Sequence, residues 1–327
     1  MRVLAADIGG TNARLAIAEV TDGRARIERR QQYASQDAPS LASIALRFIA
    51  ESGEQRLSRA CFGVACRVTE GICRPANLPW TIHEGELAAS IGIPGTSIIN
   101  DFDAIGQGIA LLAPADVVTL QRGEPIAHGN LALIGAGTGL GEAFLVWDGF
   151  RYRVQPSEGG HVNFAARDEI EWGIYGALQA EFGHVSYERV VSGPGLVHIY
   201  RYLVSARGGA EHQLVRDELR RGDPAAVIVR HGLAGTDPLC AQAVDLFTSL
   251  LGAHAGNLAL TVLAAGGVYV AGGIAPRMVD KLRTGPFLKS FRDKGRLSEF
   301  VERVPVHVIT NTDVGLLGAA AVAANGH

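Results

Sequence analysis

The fold of this chain is decided by residues 5–17, which read Ala-Ala-Asp-Ile-Gly-Gly-Thr-Asn-Ala-Arg-Leu-Ala-Ile. Apolar runs enter and leave this stretch, at residues 3–6 and 15–18, and both runs are short and lie between polar residues. Short apolar runs of this kind indicate strands. The sequence therefore predicts two strands joined by a tight turn at Gly9 and Gly10.

The glycine and polar residues of this turn point to a phosphate site. Glycine lets a ligand approach the main chain closely, and outward-pointing N–H groups form an anion-binding nest. Asp7, at the end of the first strand, would then hold Mg²⁺ directly or through water. Thr11 and Asn12 line the bend. An ordinary hairpin with a glycine turn is the alternative interpretation of the same residues.

Composition is that of a compact globular protein. The 327 residues suffice for two packed domains, with 47% hydrophobic and 19% charged residues. The formal net charge of −3 predicts no general attraction to nucleic acid or to an anionic membrane. The first strand follows Met1 so closely that no signal peptide is expected, and polar residues interrupt the longest apolar stretch, at residues 244–270. These features favour a cytoplasmic protein without a membrane span.

The cysteines predict reduced thiols. None of the four forms a CxxC pair. Buried, reduced side chains are therefore expected at each of them, in preference to disulfides or a zinc site. The positions concerned are Cys61, Cys66, Cys73 and Cys240.

The first third of the chain predicts a partly parallel sheet. After the opening hairpin, strands are expected at residues 26–33, 60–65 and 97–99, with helices capped by Ser40 and near residues 84–90. The order strand, helix, strand is typical of parallel sheets, whose ligands bind beyond the carboxyl ends of the strands. Asn100 and Asp101 fall at such an end.

A second half begins near residue 109 and repeats the opening design. A strand at residues 131–134, a glycine turn at 135–141 and a strand at 142–147 form this weak repeat. The glycine turn lacks the Lys-Ser/Thr of a P-loop and the spacing G-x-G-x-x-G, and a strand follows it where both motifs require a helix. A P-loop or Rossmann site is therefore excluded.

The remainder is predicted to be mainly helical. Helices are expected at residues 169–182, 195–206 and 237–265. A strand at 268–271 leads through Gly272 and Gly273 into a helix that starts near Pro276, and a strand at 306–309 precedes a final helix capped by Asp313.

The glycine-rich elements resemble the phosphate 1, phosphate 2 and adenosine motifs of the actin-like ATPase fold. They are Asp7-Ile-Gly9-Gly10-Thr11, Gly135-Ala-Gly137-Thr138-Gly139 and Val270-Ala271-Gly272-Gly273. More narrowly, the chain is similar to bacterial glucokinases, from its N-terminus to its final helix. The motifs that carry this similarity are residues 6–15, Asn100-Asp101-Phe102, Glu158-Gly-Gly-His161, Tyr187-Glu-Arg-Val-Val-Ser-Gly193 and Ala271-Gly-Gly-Ile274.

This resemblance implies an α/β, two-domain actin-like ATPase (ribonuclease H-like) fold with a cleft between a small and a large domain. The small domain would span residues 1–108 and be completed by the C-terminal helix 312–327, and the large domain would span 109–311. The resemblance also implies a cytosolic homodimer that phosphorylates glucose at its 6-hydroxyl with ATP and Mg²⁺, the first step of glycolysis.

Individual roles follow from the same resemblance. Asp101 would be the general base, because a positioned carboxylate can accept the proton of a weakly nucleophilic sugar hydroxyl. Helix capping is the alternative for Asp101 and the expected role of Asp103. Glucose would be bound by Asn100, Asp101, Glu158, His161 and Glu188. ATP would be bound by Asp7 (with Mg²⁺, through water), Gly9, Gly10, Thr11, Asn12, Gly137, Thr138, Gly139, Gly272 and Gly273.

The sequence departs from the family pattern at Cys66-Arg67, where relatives commonly carry a Gly-Pro-Val turn. This change would alter the backbone of the loop, and with it the entry of the sugar or the closure of the domains. Related kinases with a cysteine-rich zinc motif match poorly, because no cysteine follows His161 before Cys240.

Other functions stay open. The chain could phosphorylate another hexose, use polyphosphate as donor, or be a catalytically silent sugar-binding regulator of the same fold. An Hsp70-like ATPase module is disfavoured, because no peptide-binding β domain follows. ATP turnover that depends on sugar separates a sugar kinase from a silent regulator and from an Hsp70-like ATPase.

Overall fold

The computed structural model describes residues 1–54, 56–206, 208 and 211–326. Its strands are β1 (Arg2–Ile8), β2 (Asn12–Thr21), β3 (Arg24–Ala34), β4 (Arg59–Val64), β5 (Val68–Thr69), β6 (Ile72–Cys73), β7 (Ile82–His83), β8 (Gly95–Asn100), β9 (Val117–Gln121), β10 (Leu131–Ala136), β11 (Leu140–Trp147), β12 (Tyr152–Ser157), β13 (Gly267–Ala271) and β14 (Val306–Ile309). Its α-helices are α1 (Leu41–Ser52), α2 (Glu84–Ile91), α3 (Asp101–Ile109), α4 (Glu169–Phe182), α5 (Gly193–Ala206), α6 (Gln213–Arg221), α7 (Pro224–Ala234), α8 (Pro238–Thr261), α9 (Val279–Thr284), α10 (Phe287–Arg292), α11 (Ser298–Arg303) and α12 (Val314–Asn325).

These elements form two compact units. The first unit comprises Met1–Val117, Leu145–Pro156 and Asn311–His327. The second comprises Val118–Phe144 and Ser157–Thr310.

The first unit is built on a sheet with the strand order β3-β2-β1-β4-β8. Its central strand β1 pairs antiparallel with β2, as the opening sequence predicts, and parallel with β4, which pairs parallel with β8. Because successive side chains of a strand point to opposite faces, β1 contributes to two cores. Leu4 packs in a cluster with Phe48 of α1, and Val3 packs in another with Leu316 of α12.

Small residues let α12 pack closely on α3. A Cβ added at Gly318 would overlap the carbonyl oxygen of Ala104, and one added at Gly108 would overlap the carbonyl of Val314. Glycine at these two positions therefore lets the backbones of the two helices approach each other. The prediction that Asp313 caps this helix is wrong: Asp313 stands at the N-cap position, but its side chain makes no capping bond and its carboxylate pairs with Arg30 of β3.

The cysteine prediction is wrong for one pair. Cys66 and Cys73 form a disulfide, whereas Cys61 and Cys240 are free and buried. The cause is a hairpin: positive φ at Glu70 and Gly71 turns β5 back onto β6 in the register Val68↔Cys73, and places the two cysteine Cα atoms 6.0 Å apart. That separation lies within the usual range for a disulfide. A search for CxxC spacing does not detect this arrangement.

We expect this disulfide to stabilise the first unit by about 2.5 kcal/mol, the value for closing a loop of this size in the chain-entropy account. A dithiol reductant should therefore lower the melting temperature of the wild-type protein. The Cys66→Ser variant, which cannot form the bond, should melt at the same temperature with and without reductant. Equal melting of the wild type under both conditions would contradict the prediction.

The second unit carries strands of a sheet with the order β12-β11-β10-β13-β14-β9. Strand β13 pairs parallel with both β10 and β14. The helix α4 has the predicted bounds, and α5 begins two residues before its prediction. The helix α8 starts at Pro238, one residue after the predicted start, and Asp237 caps it by accepting from the N–H of Cys240 at 2.7 Å. The helix ends at Thr261, four residues before its predicted end. Just beyond that end, Leu263 takes a positive φ of 48°.

Helices α6 and α7 have no counterpart in the sequence prediction. The first is strongly polar and buries only Val215, so its apolar pattern is too weak to detect. Across the described part of the chain, no helix combines the length and the apolar character needed to cross a membrane.

Candidate active site

The phosphate-1 turn of the first unit is closed by its own backbone. The N–H of Gly9 donates to the carbonyl of Asn12 at 2.9 Å. Ser35, which follows the end of β3, holds the turn with two hydrogen bonds. Its N–H donates to the carbonyl of Thr11 and its hydroxyl donates to the carbonyl of Gly9, both at 2.9 Å. Thr11 and Asn12 are exposed. The turn is thus fixed in shape and open to a ligand, as an anion nest requires.

Asp7 is held by an arginine. The antiparallel register of β1 and β2 places Asp7 opposite Arg14, whose Nη2 pairs with Asp7 Oδ2. Nη1 of Arg14 donates to the carbonyl of Thr312 at 2.6 Å. No role was predicted for Arg14; the hairpin register that places these two opposite charges face to face supplies it.

The residues around Asp7 fit a magnesium ion that is held mainly by nucleotide phosphates. Magnesium usually keeps several waters and takes one or two carboxylates in addition to phosphate oxygens. Asp7 uses Oδ2 for Arg14, which leaves Oδ1 for a metal-bound water. Among the described residues, no three His, Cys, Asp or Glu side chains gather into a metal cage.

Asn100 and Asp101 lie where strand β8 passes into helix α3. The side chain of Asn100 caps the helix by accepting from the N–H of Phe102 at 2.8 Å, and its Nδ2 donates to the carbonyl of Cys66 at 3.0 Å. The expected capping role of Asp103 is therefore wrong. Asp103 lies inside the first turn, where its Oδ1 accepts from Gln107 at 3.3 Å.

The parallel strands bring Asp101 to the same edge of the sheet as Asp7. Ile8 pairs with Val64, and Val64 pairs with Asn100, so the carboxyl ends of β1, β4 and β8 are level. A Cβ on Gly63 would lie 3.7 Å from the Cα of Asp101 and 2.9 Å from the Cβ of Ala104. Glycine at this position therefore lets the start of α3 approach β4.

In the second unit, the phosphate-2 turn is bound to Glu188. The turn lies between β10 and β11 and contains Gly137, Thr138 and Gly139. Glu188 Oε2 accepts from the N–H of Leu140 at 2.9 Å, and a Cβ on Gly139 would lie 2.5 Å from the same oxygen. Only glycine lets the carboxylate approach this closely.

Two short 3₁₀ turns carry the remaining sugar-binding candidates. The turn Gly159–His161 presents His161, and the turn Tyr187–Arg189 presents Glu188. Nδ1 of His161 is 3.9 Å from Oε1 of Glu188. Glu158 precedes the first turn with an exposed side chain, and its carbonyl accepts from the N–H of His161 at 3.0 Å.

The adenosine-motif glycines follow β13 at the edge where β10 ends. The parallel register pairs Gly135 with Ala271, so Gly272 lies beside Ala136. Gly272 has a φ of +85°, and a Cβ added to it would overlap the Ala136 carbonyl oxygen, whereas a Cβ on Gly273 would meet no atom within 4 Å. Gly272 is thus required by the backbone, and Gly273 leaves open space for a ligand.

This contrast gives a matched pair of variants. Gly272→Ala should lower the unfolding free energy by about 1–3 kcal/mol through strain and overpacking, and should raise the KM for ATP. Gly273→Ala has the same chemistry without the clash or the positive φ, and should melt near the wild type. Thermal unfolding and ATP titration measure both effects, and equal stability of the two variants would contradict the assignment.

Comparison with known proteins decides the family. A model of the family described as Glucokinase matches residues 4–326. The glucokinase of Nostoc punctiforme is 40% identical over 336 residues, which cover 98% of each chain, and that of Cronobacter sakazakii is 40% identical over 97% of this chain and 95% of that protein. The chain belongs to the glucokinase family. The predicted resemblance is confirmed, and with it the enzyme class.

Solved structures agree with this family. A glucokinase from an Antarctic psychrotroph has a TM-score of 0.84 at 33% identity, and the match covers 99% of each chain. A ROK family glucokinase from Streptomyces griseus, solved in complex with glucose and AMPPNP, has a TM-score of 0.69 at 21% identity over 100% of both chains. The second likeness shows the fold alone. Together these structures confirm the predicted α/β actin-like ATPase fold.

Proposed function

We propose that the chain transfers the γ-phosphoryl group of ATP to the 6-hydroxyl of glucose, with Asp101 as the general base. The observation that carries this proposal is the placement of Asp101 at the start of α3, at the sheet edge that also bears the Asp7–Asn12 turn. A carboxylate at such an edge can accept the hydroxyl proton as the phosphoryl group arrives.

ATP is bound by the glycine turns. The N–H groups of the Gly9–Asn12 turn in the first unit and of the Gly137–Gly139 turn in the second are each assigned to phosphate oxygens, and Gly272 and Gly273 to the adenosine. Asp7 would hold Mg²⁺ through water, and the ion would supply positive charge against the β- and γ-phosphates. Support for ATP comes from the family match and from the AMPPNP named for the Streptomyces griseus protein.

Glucose is bound by side chains that accept and donate hydrogen bonds. These are Asn100, Asp101, Glu158, His161 and Glu188. A site built from such groups rejects sugars that leave them unpaired. Two related structures are named as complexes with glucose, those from Balamuthia mandrillaris and Streptomyces griseus, and these names support glucose as the sugar.

Three finer assignments rest on the resemblance alone. The protein is assigned as a cytoplasmic homodimer, its reaction is placed at the start of glycolysis, and its domain boundaries are placed near residues 108 and 311. Light scattering of the purified protein measures the oligomeric state, and a monomeric mass would overturn the homodimer.

ADP release with Mg²⁺ and ATP tests the reaction against glucose, mannose, fructose, N-acetylglucosamine and no sugar. Selective turnover with glucose is expected. Turnover with another hexose, or with polyphosphate in place of ATP, would overturn the assigned sugar or donor. If glucose binds in calorimetry but no donor and sugar give turnover, the chain is a sugar-binding regulator.

A further inference from the structure

A buried acid–base pair lies beneath the two 3₁₀ turns and has no part in the function proposed so far. Glu142 of β11 and His254 of α8 are 3% and 4% exposed. Their Oε1 and Nε2 atoms are 2.5 Å apart. Replacing a buried ion pair by apolar residues is often neutral for stability, so stability alone does not explain such a pair.

Glu142 supports the turn that presents His161. A Cβ added at Gly159 would overlap Glu142 Oε2, so the carboxylate lies directly against the backbone of this turn. Gly159 is the first residue of the turn, and its carbonyl accepts from the N–H of Val162 at 3.2 Å. The position of the carboxylate therefore bears on the position of His161.

His254 supports the turn that presents Glu188. Its ring stacks on Tyr187, with centroids 3.7 Å apart and planes inclined by 15°. Tyr187 begins that turn, and its N–H donates to the carbonyl of Val162 at 3.1 Å, which links the two turns. Asn257 fixes the far end of the tyrosine by donating to its hydroxyl at 3.1 Å.

The imidazole depends on these two contacts. Within the described residues, Nδ1 of His254 is buried without a hydrogen-bond partner. The ring is therefore oriented by its bond to Glu142 and by its stacking on Tyr187. Loss of the carboxylate would leave the ring free to rotate. The turn that presents Glu188 would then lose its support.

We propose that Glu142 and His254 are positioning residues that set the geometry of His161 and Glu188, and thereby the affinity for the sugar. This inference rests on the proposed function, in which those two side chains bind glucose. The general base Asp101 lies on α3 of the first unit, whereas the pair and both turns lie in the second, so loss of the pair should act on sugar binding and leave kcat nearly unchanged.

The test uses a double variant, Glu142→Leu with His254→Phe, which removes the pair without leaving an unpaired buried charge. It should fold and show a KM for glucose about 10- to 100-fold higher, the usual cost of losing a hydrogen bond to a charged group. The value of kcat should stay within about threefold. The single variant Glu142→Gln keeps an oxygen opposite His254 Nε2. It should therefore retain most of the wild-type affinity for glucose, in contrast to the double variant.

A control separates positioning from general loss of stability. Gln121 is a buried polar residue of β9, at the opposite end of the sheet order from β11, and accepts from Arg292 at 2.6 Å. Gln121→Leu should lower the melting temperature without changing the KM for glucose. An unchanged KM in the folded double variant would overturn the proposal.

Amide hydrogen exchange of the ligand-free protein gives a readout that does not depend on the sugar. The double variant should exchange faster at residues 159–162 and 187–191, and Glu142→Gln should not. Wild-type exchange in the double variant would overturn the positioning role. If instead wild-type protein turns over no glucose, the proposed function fails while the exchange experiment still decides the role of the pair.

Discussion

Asp101→Asn should lower kcat about 10²- to 10⁴-fold, the usual contribution of a positioned general base, while fold and glucose affinity are retained. The fold should survive because Asn100, not Asp101, caps helix α3. Asp101 Oδ1 also accepts from the N–H of Phe102 at 3.0 Å, and the amide oxygen of asparagine can do the same. The substitution thus removes the ability to accept a proton and can retain the bond from the N–H of Phe102.

Steady-state kinetics and glucose calorimetry measure this effect. Asp103→Asn is the matched control, because it makes the same change two residues away in the same helical turn, where the side chain binds Gln107. The control should keep kcat within about threefold. Turnover near the wild-type rate in Asp101→Asn would remove Asp101 from the mechanism.

Local sequence patterns predicted the parts of the fold that local physics determines. The Gly9-Gly10 turn, the strand β14 and the helix α4 were all indicated by apolar periodicity and glycine, because those signals lie within a few residues of one another.

Features that depend on distant residues were not predicted. The carboxylate of Asp313 has two possible partners, the N–H groups of its own helix and Arg30, and the folded sheet supplies the second. Likewise the Cys66–Cys73 bond follows from a hairpin register, and the Glu142–His254 pair joins residues 112 positions apart. No spacing rule on one sequence reveals such pairs.

The candidate site shows the same division. The glycine turns and the strand-end position of Asp101 were readable from the sequence, because the carboxyl ends of parallel strands are where ligands bind. No role was predicted for Arg14, which is half-buried on β2, because a basic residue in a strand usually indicates a solvated face. Its role became clear only from the register that places it opposite Asp7.

Glu188→Gln should raise the KM for glucose about 10- to 100-fold, since hydrogen bonds to charged groups contribute about 1.5–3 kcal/mol. The amide oxygen of glutamine can keep the bond from the N–H of Leu140, which Glu188 Oε2 accepts at 2.9 Å. The amide nitrogen then replaces Oε1, the oxygen 3.9 Å from His161 Nδ1. The substitution removes a charged acceptor and retains the contact with the phosphate-2 turn.

Comparison with Glu188→Ala separates the two functions of this carboxylate. Alanine also removes the bond to Leu140, so it should raise the KM for ATP as well as that for glucose. Glu181→Gln, the same exchange at an exposed residue of α4, should change neither constant. A rise in the glucose KM alone in Glu188→Gln would identify the charge at Oε1 as the group that binds sugar. If glutamine and alanine raised both constants equally, Glu188 would act by holding the glycine turn, and the sugar would be bound without its carboxylate.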